Sequence, residues 1–281
     1  MKPALVFSHA NGFPAGTYRL LLDVLRAAGW HVLAVPKFGH DARFPVTNNW
    51  PHLRDQLLQF IEAQHAAPAY LVGHSLGGYL SLLAAARRPE LAAGVVLLDS
   101  PLLPNWMGRV IQFGKAFGVG ERYSPARVSK RRREQWPSAD AAFAHFEAKP
   151  AFARWADGVL ADYLACGLEA GAGGVHLSFE RDIETRIYNT LPHHVPRLLR
   201  THPPRCPVAF IGARGSEELR RVGLRETRRL VHHRLTMLDG THLFPLEAPQ
   251  AAAAAVLHWL TSFEAHRAAA GAGEPGATPR L

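Results

Sequence analysis

The sequence predicts an α/β fold in which a mostly parallel six-stranded sheet is flanked by helices. Three observations carry that expectation. Short apolar runs alternate with helical patterns over the first hundred residues, the same alternation returns after residue 207, and a strand, a sharp turn and a helix surround a serine set between glycines.

The elements follow in order. Residues 4–8, 32–35, 70–73 and 95–99 are short apolar runs ending at turn residues, the pattern of strands buried on both faces. Between them, Leu20, Leu21, Leu22, Val24 and Leu25 fill one helical pattern, and Leu53, Leu57, Leu58 and Ile61 repeat at helical spacing in the next. A further helix is expected from Tyr79 to residue 87. After the interruption, residues 208–211 read as a strand, 217–231 as one helix, 235–238 as a strand and 249–263 as an amphipathic closing helix.

Between the strand ending at Asp99 and the strand starting near Val208, the alternation stops. About a hundred residues is too long for a loop. The segment is helical in pattern and rich in aromatics, among them Trp106, Phe113, Phe117, Trp136, Phe146, Phe152, Trp155 and Tyr163. Residues 1–100 and 207–266 are therefore expected to form the core, and 101–206 a helical cap over the carboxyl edge of the sheet, where open α/β sheets bind ligands. Residues 267–281 lack periodic apolar positions and are expected to form a disordered tail.

Composition narrows the function. With 48% hydrophobic and 20% charged residues in 281, the chain has the make-up of a soluble globular protein. No run approaches the ~20 apolar residues of a membrane span. The apolar part of the opening segment, Ala4 to Phe7, is too short for a signal peptide, so a cytoplasmic location and no membrane partner are expected. Two cysteines, Cys166 and Cys206, provide neither a disulfide framework nor a zinc-type pair. The net charge of +9 is densest at Lys130-Arg131-Arg132-Arg133, but no nucleic-acid-binding signature accompanies that run. It reads as a solvated basic face, and no nucleic-acid partner is expected.

The chemistry centres on Gly73-His74-Ser75-Leu76-Gly77, which follows an apolar strand and opens a helix. A serine at such a strand-to-helix turn projects its hydroxyl from the sheet edge, and small flanking residues let strand and helix approach. A free hydroxyl is a weak nucleophile, so Ser75 requires a base within hydrogen-bond reach. An Asp239-Gly240-Thr241-His242 turn follows the last expected strand. His9 and His74 read as packing and hydrogen-bonding residues.

Together with Ser8-His9-Ala10-Asn11-Gly12-Phe13-Pro14 after the first strand, these motifs resemble the α/β-hydrolase family almost to residue 265. The resemblance implies a catalytic triad and an oxyanion hole formed by backbone N–H groups, those of Asn11 and Leu76, with Phe13 as the alternative to Asn11. It implies His242 as the base, in the position after the last strand where the resembled fold carries it, and Asp99 as the acid that orients it, with Glu217 and Glu218 as alternatives. Ser216 followed by Glu217 and Glu218 also reads as an ordinary helix N-cap with acids in the first turn. Family members usually have two strands before the oxyanion-loop strand, which here begins at residue 4. The expected strand order is therefore 2-1-3-4-5-6, with 32–35 at an edge through which a homodimer could pair.

The implied function is a serine hydrolase acting on an ester or related acyl bond of a small, partly apolar substrate, with no cofactor and no metal. Carbon–carbon bond hydrolysis, thioester cleavage and cofactor-free perhydrolysis use the same scaffold. A non-catalytic ligand-binding protein is a further reading. A small-molecule substrate is the only partner expected beyond another copy of the chain, as monomer or homodimer.

Overall fold

Each central strand sends alternate side chains to opposite faces, and here both faces are covered by helices. The computed structural model of the chain describes residues 4–117 and 126–272. In chain order, β1 (Leu5–Ser8), α1 (Arg19–Ala27), β2 (Val32–Ala34), α2 (Pro51–Ala63), β3 (Ala69–His74), α3 (Leu76–Arg87) and β4 (Ala92–Leu98) form the first half. Then come α4 (Asn105–Ala116), α5 (Ala126–Ser129), β5 (Gln135–Trp136), α6 (Ala139–Glu147), α7 (Val159–Gly167), β6 (Leu168–Gly171), β7 (Gly174–Leu177), α8 (Arg181–Asn189) and α9 (Val195–Thr201). The chain re-enters the main sheet with β8 (Val208–Ala213), followed by α10 (Glu217–Val222), α11 (Arg225–Val231), β9 (Leu235–Leu238), α12 (Phe244–Glu247) and α13 (Pro249–Ala272).

The main sheet has six strands in the order β2-β1-β3-β4-β8-β9, and every pairing is parallel. This is the order expected from the sequence, with β2 at the edge. Leu5, Phe7, Tyr70 and Val72 point into one core, closed by Leu21 and Leu25 of α1 and by Val256, Leu260 and Phe263 of α13. Val6 and Leu71 point into the other, closed by Leu53, Leu57 and Ile61 of α2 and Leu80 and Leu83 of α3. Ser8 is in register with Gly73, Gly73 with Leu97, Leu98 with Ile211, and Ala213 with Leu238. The carboxyl ends of five strands thus lie side by side. Successive connections leave β1 in opposite directions, so the switch point that favours a ligand crevice falls between β1 and β3.

Three local expectations are corrected. The 101–206 insert is not helical throughout: β5, β7 and β6 form a three-stranded antiparallel sheet. Residues 217–231 are two helices, because the chain turns at Gly223, whose φ of +77° and ψ of 171° suit glycine alone. Helix α13 continues through Arg267 to Ala272, so the first part of the expected disordered tail is helical, and 273–281 lie outside the described residues.

The Gly223 break yields a test. A Cβ added there would meet nothing within 4 Å, so any cost of Gly223→Ala comes from backbone strain and not from a clash. The substitution is expected to lower stability by about 1–3 kcal/mol in urea denaturation. An unchanged midpoint would mean that the turn relaxes freely.

Candidate active site

Ser75 sits between β3 and α3 at φ +53° and ψ −112°, a sparsely populated conformation for a residue with a side chain. The turn is held by its own backbone. The Ser75 N–H donates to the Leu98 carbonyl at 3.0 Å, and the Ser75 carbonyl accepts from the N–H groups of Gly78 and Tyr79 and from Ser100 Oγ. Close approach explains the flanking glycines. A Cβ on Gly77 would lie 2.0 Å from the Ser8 carbonyl oxygen, and one on Gly73 would lie 2.2 Å from the Gly77 backbone. Strand β1, the elbow and α3 could not occupy these positions with larger residues.

Asp99 follows β4 and is fully buried, with φ +41°. A carboxylate away from water needs donors on its lone pairs. Oδ1 accepts from the Ala213 N–H at 3.2 Å, while Oδ2 accepts from Ser216 Oγ and lies 2.7 Å from His242 Nδ1. Burial opposes protonation of His242. The hydrogen bond to Asp99 and the negative charges of Glu218 and Asp99 outweigh it and raise the imidazole above the ordinary histidine range.

The three sequence candidates for the acid therefore occupy different places. Asp99 contacts His242 directly; Glu218 is half-exposed, with Oε2 3.7 Å from Nδ1; Glu217 points to solvent and pairs with Arg220 and Arg221. Ser216 does cap α10, accepting from the Leu219 N–H, but it also donates to Asp99. Asp99, Glu218 and His242 bring three potential metal-ligand atoms within 4.8 Å. The 2.7 Å approach of Nδ1 to Oδ2 is that of a charge-assisted hydrogen bond, and a cation bound to both at ~2.0–2.2 Å would have to replace it.

The loop after β1 is fixed by two neutral histidines. Burial lowers His9 to about 4; its Nε2 accepts from the Phe38 N–H, so Nδ1 carries the proton that is donated to the Ala10 carbonyl at 2.8 Å. Burial also holds His74 well below the usual histidine value. Its Nε2 faces the His242 carbonyl at 2.8 Å and must donate, leaving Nδ1 to accept from Tyr18 Oη at 2.7 Å. Tyr18 in turn accepts from the Ala10 N–H at 3.2 Å. One chain of hydrogen bonds thus runs from the loop containing Asn11 to the backbone of His242.

The Phe13 N–H is occupied by the Ala10 carbonyl at 3.1 Å, whereas the N–H groups of Asn11 and Leu76 have no acceptor among the described residues. Asn11 is anchored through its side chain, whose Nδ2 donates to the Glu184 carbonyl of α8 at 3.0 Å. The Glu184 carboxylate, beside Gly12, pairs with Arg132 at 2.7 Å, and Arg132 also donates to Tyr163. Arg132 is therefore turned inward, unlike its exposed neighbours Arg131 and Arg133. Sequence reading missed Tyr18, Arg132 and Glu184. Arg132 lay within the basic run, but nothing local marked it as the member that turns in.

A family model described as Alpha/beta hydrolase family matches residues 5–256. Monoglyceride lipase of Rattus norvegicus is 35% identical over 111 residues, which are 36% of this chain and 36% of the lipase, so the match spans about a third of the relative's length. Among solved structures, E-2-(acetamidomethylene)succinate hydrolase superposes with a TM-score of 0.72 at 19% identity, covering 93% of this chain and 92% of that one. The thioesterase domain from the curacin biosynthetic pathway gives 0.70 at 19% identity, with 91% of each chain covered.

Removing the Tyr18 hydroxyl should leave the buried Ala10 N–H and His74 Nδ1 unpaired. Tyr18→Phe is expected to cost about 1–3 kcal/mol in urea denaturation. A loss below about 0.5 kcal/mol would show that other groups satisfy both atoms.

Proposed function

The chain belongs to the alpha/beta hydrolase family, and on that premise we propose that it is a serine hydrolase cleaving an ester or related acyl bond through an acyl-enzyme on Ser75. One observation carries this reading: a serine held at φ +53° shares a sheet edge with a histidine whose Nδ1 lies 2.7 Å from a buried carboxylate. The names of a similar lipase and of a thioesterase domain support acyl transfer as the reaction class.

In this reading Asp99 fixes the His242 tautomer with the proton on Nδ1, leaving Nε2 as the base. Ser75 Oγ attacks the carbonyl carbon as its proton passes to Nε2. The N–H groups of Asn11 and Leu76 receive the negative oxygen, and Leu76 adds the positive end of α3. Collapse of the tetrahedral species expels the leaving group, which takes the proton from His242. Water then repeats the sequence on the acyl-enzyme and restores Ser75.

The test is labelling with a fluorophosphonate alongside turnover of short-chain p-nitrophenyl esters. Ser75→Ala is expected to abolish labelling, and Asp99→Asn to lower kcat by about 10³–10⁴-fold, since it favours the wrong tautomer. Glu217→Gln should leave kcat nearly unchanged. An unlabelled chain with no turnover on any acyl substrate would instead support a ligand-binding protein.

The pH profile supplies a second test. His242 acts as base only when neutral, and its proton affinity is raised, so kcat/KM should climb with pH through a value above the ordinary histidine range. Glu218→Gln removes one raising charge, so the acidic limb should move to lower pH. A limb that stays in place would show that Glu218 does not act on His242.

A further inference from the structure

Helix α4 is amphipathic in the reverse of the usual sense. Its apolar side chains at i, i+4, i+7 and i+11, namely Trp106, Val110, Phe113 and Phe117, form one stripe, and they are 63%, 60%, 64% and 65% exposed. The rings of Phe113 and Phe117 touch each other, with centroids 4.3 Å apart. The rest of the helix turned toward the protein carries Gly108 and Lys115 beside the partly buried Met107 and Ile111. A Cβ on Gly108 would lie 2.6 Å from the His193 carbonyl, and Lys115 Nζ donates to Asn48 Oδ1 at 2.7 Å and to the Leu191 carbonyl. Polar and close-packed contacts therefore hold α4 on the protein, and its apolar face is directed away from the core.

The surroundings of the stripe are basic. Arg109 is exposed on α4 itself, and α9, packed beside α4, presents Arg197 and Arg200, with Arg200 donating to Asn105 at the start of α4. Neither helix contains an aspartate or glutamate. A tryptophan and phenylalanines on one face, with arginines beside them and no carboxylate on either helix, match the composition of a helix that lies in a lipid–water interface. A protein partner suited to this patch would need an acidic rim around an apolar groove, whereas an anionic bilayer offers both properties over any area.

We propose that the outward face of α4 docks the protein peripherally on an anionic lipid surface, its aromatic stripe entering the acyl boundary and the arginines of α4 and α9 meeting the headgroups. None of the described helices is long and apolar enough to cross a membrane, so the contact is one of lying on the surface. It revises the sequence-based expectation of no membrane partner, which rested on the lack of a spanning segment. The inference is independent of the hydrolytic reading, because a variant inactive in catalysis would still dock.

The experiment is flotation of the full chain through a density gradient with vesicles of phosphatidylglycerol and phosphatidylcholine, and with vesicles of phosphatidylcholine alone. The protein should rise with the anionic vesicles and less so at high salt. Phe113→Glu and Phe117→Glu should each weaken binding by about tenfold or more, and Arg109→Ala by a few-fold. Thermal unfolding and ester turnover in solution should stay unchanged in all three, since these side chains lie in solvent. Failure of the wild-type chain to float, or flotation of Phe113→Glu at the wild-type level, would overturn the proposal. So would a stable dimer in sedimentation that Phe113→Glu dissociates, which would make a second copy the occupant of the stripe.

Discussion

The site is organised around one buried charge. Asp99 has no access to solvent, and an isolated carboxylate there would be costly enough to become protonated or to unfold its surroundings. It is held by donors from three places: the end of β8 through the Ala213 N–H, the cap of α10 through Ser216, and the loop after β9 through His242. These lie more than a hundred residues away in sequence, and the β4-β8-β9 order brings them to one point. The same demand for donors fixes the ring orientation of His242, so what satisfies the carboxylate also prepares the imidazole.

Backbone strain is the second constraint, and it is shared between neighbours. Ser75 and Asp99 end adjacent strands, and both have positive φ. Such residues persist only where the surroundings over-determine them, at a cost of order 1–3 kcal/mol each. The over-determination is visible here. The Ser75 N–H is tied to Leu98, its carbonyl to three donors, and the Asp99 N–H to Ile211 at 2.8 Å. Glycines at 73 and 77 remove the side chains that would otherwise force the elbow open.

The alternation of strands and helices and the glycine-flanked elbow were legible in the sequence because they rest on local pattern, apolar runs and glycine spacing, whereas the strand order and the role of His242 were legible only through the family resemblance. The acid stayed open in the sequence between Asp99, put first, and Glu217 and Glu218, since a helix N-cap at Ser216 looks the same whether or not its hydroxyl also reaches a distant carboxylate. The three-stranded sheet of the insert was missed because its strands are four residues or fewer and partly exposed, too short for period-two alternation to show. Much of the aromatic richness of that segment belongs to the insert's own core. Trp136, Phe146, Trp155 and Tyr163 are buried together, and Phe13 of the loop after β1 meets Trp155 and Tyr163 with ring centroids 5.8 Å away.

That last contact changes how the insert relates to the chemistry. A cap that merely covered the sheet could vary without touching the reacting groups. Here α8 accepts the Asn11 side chain through the Glu184 carbonyl, the Arg132–Glu184 pair packs against Gly12, and Phe13 is seated among insert aromatics. Three consecutive residues of the loop after β1 are therefore positioned by the insert, while Ala10 is positioned by the core through Tyr18 and His74. The geometry of the loop after β1, and with it the position of the Asn11 N–H, depends on core and insert at once. Displacement of α8 would disturb that loop, which makes the buried Arg132–Glu184 pair part of the candidate site's support despite its origin in a run of surface-like basic residues.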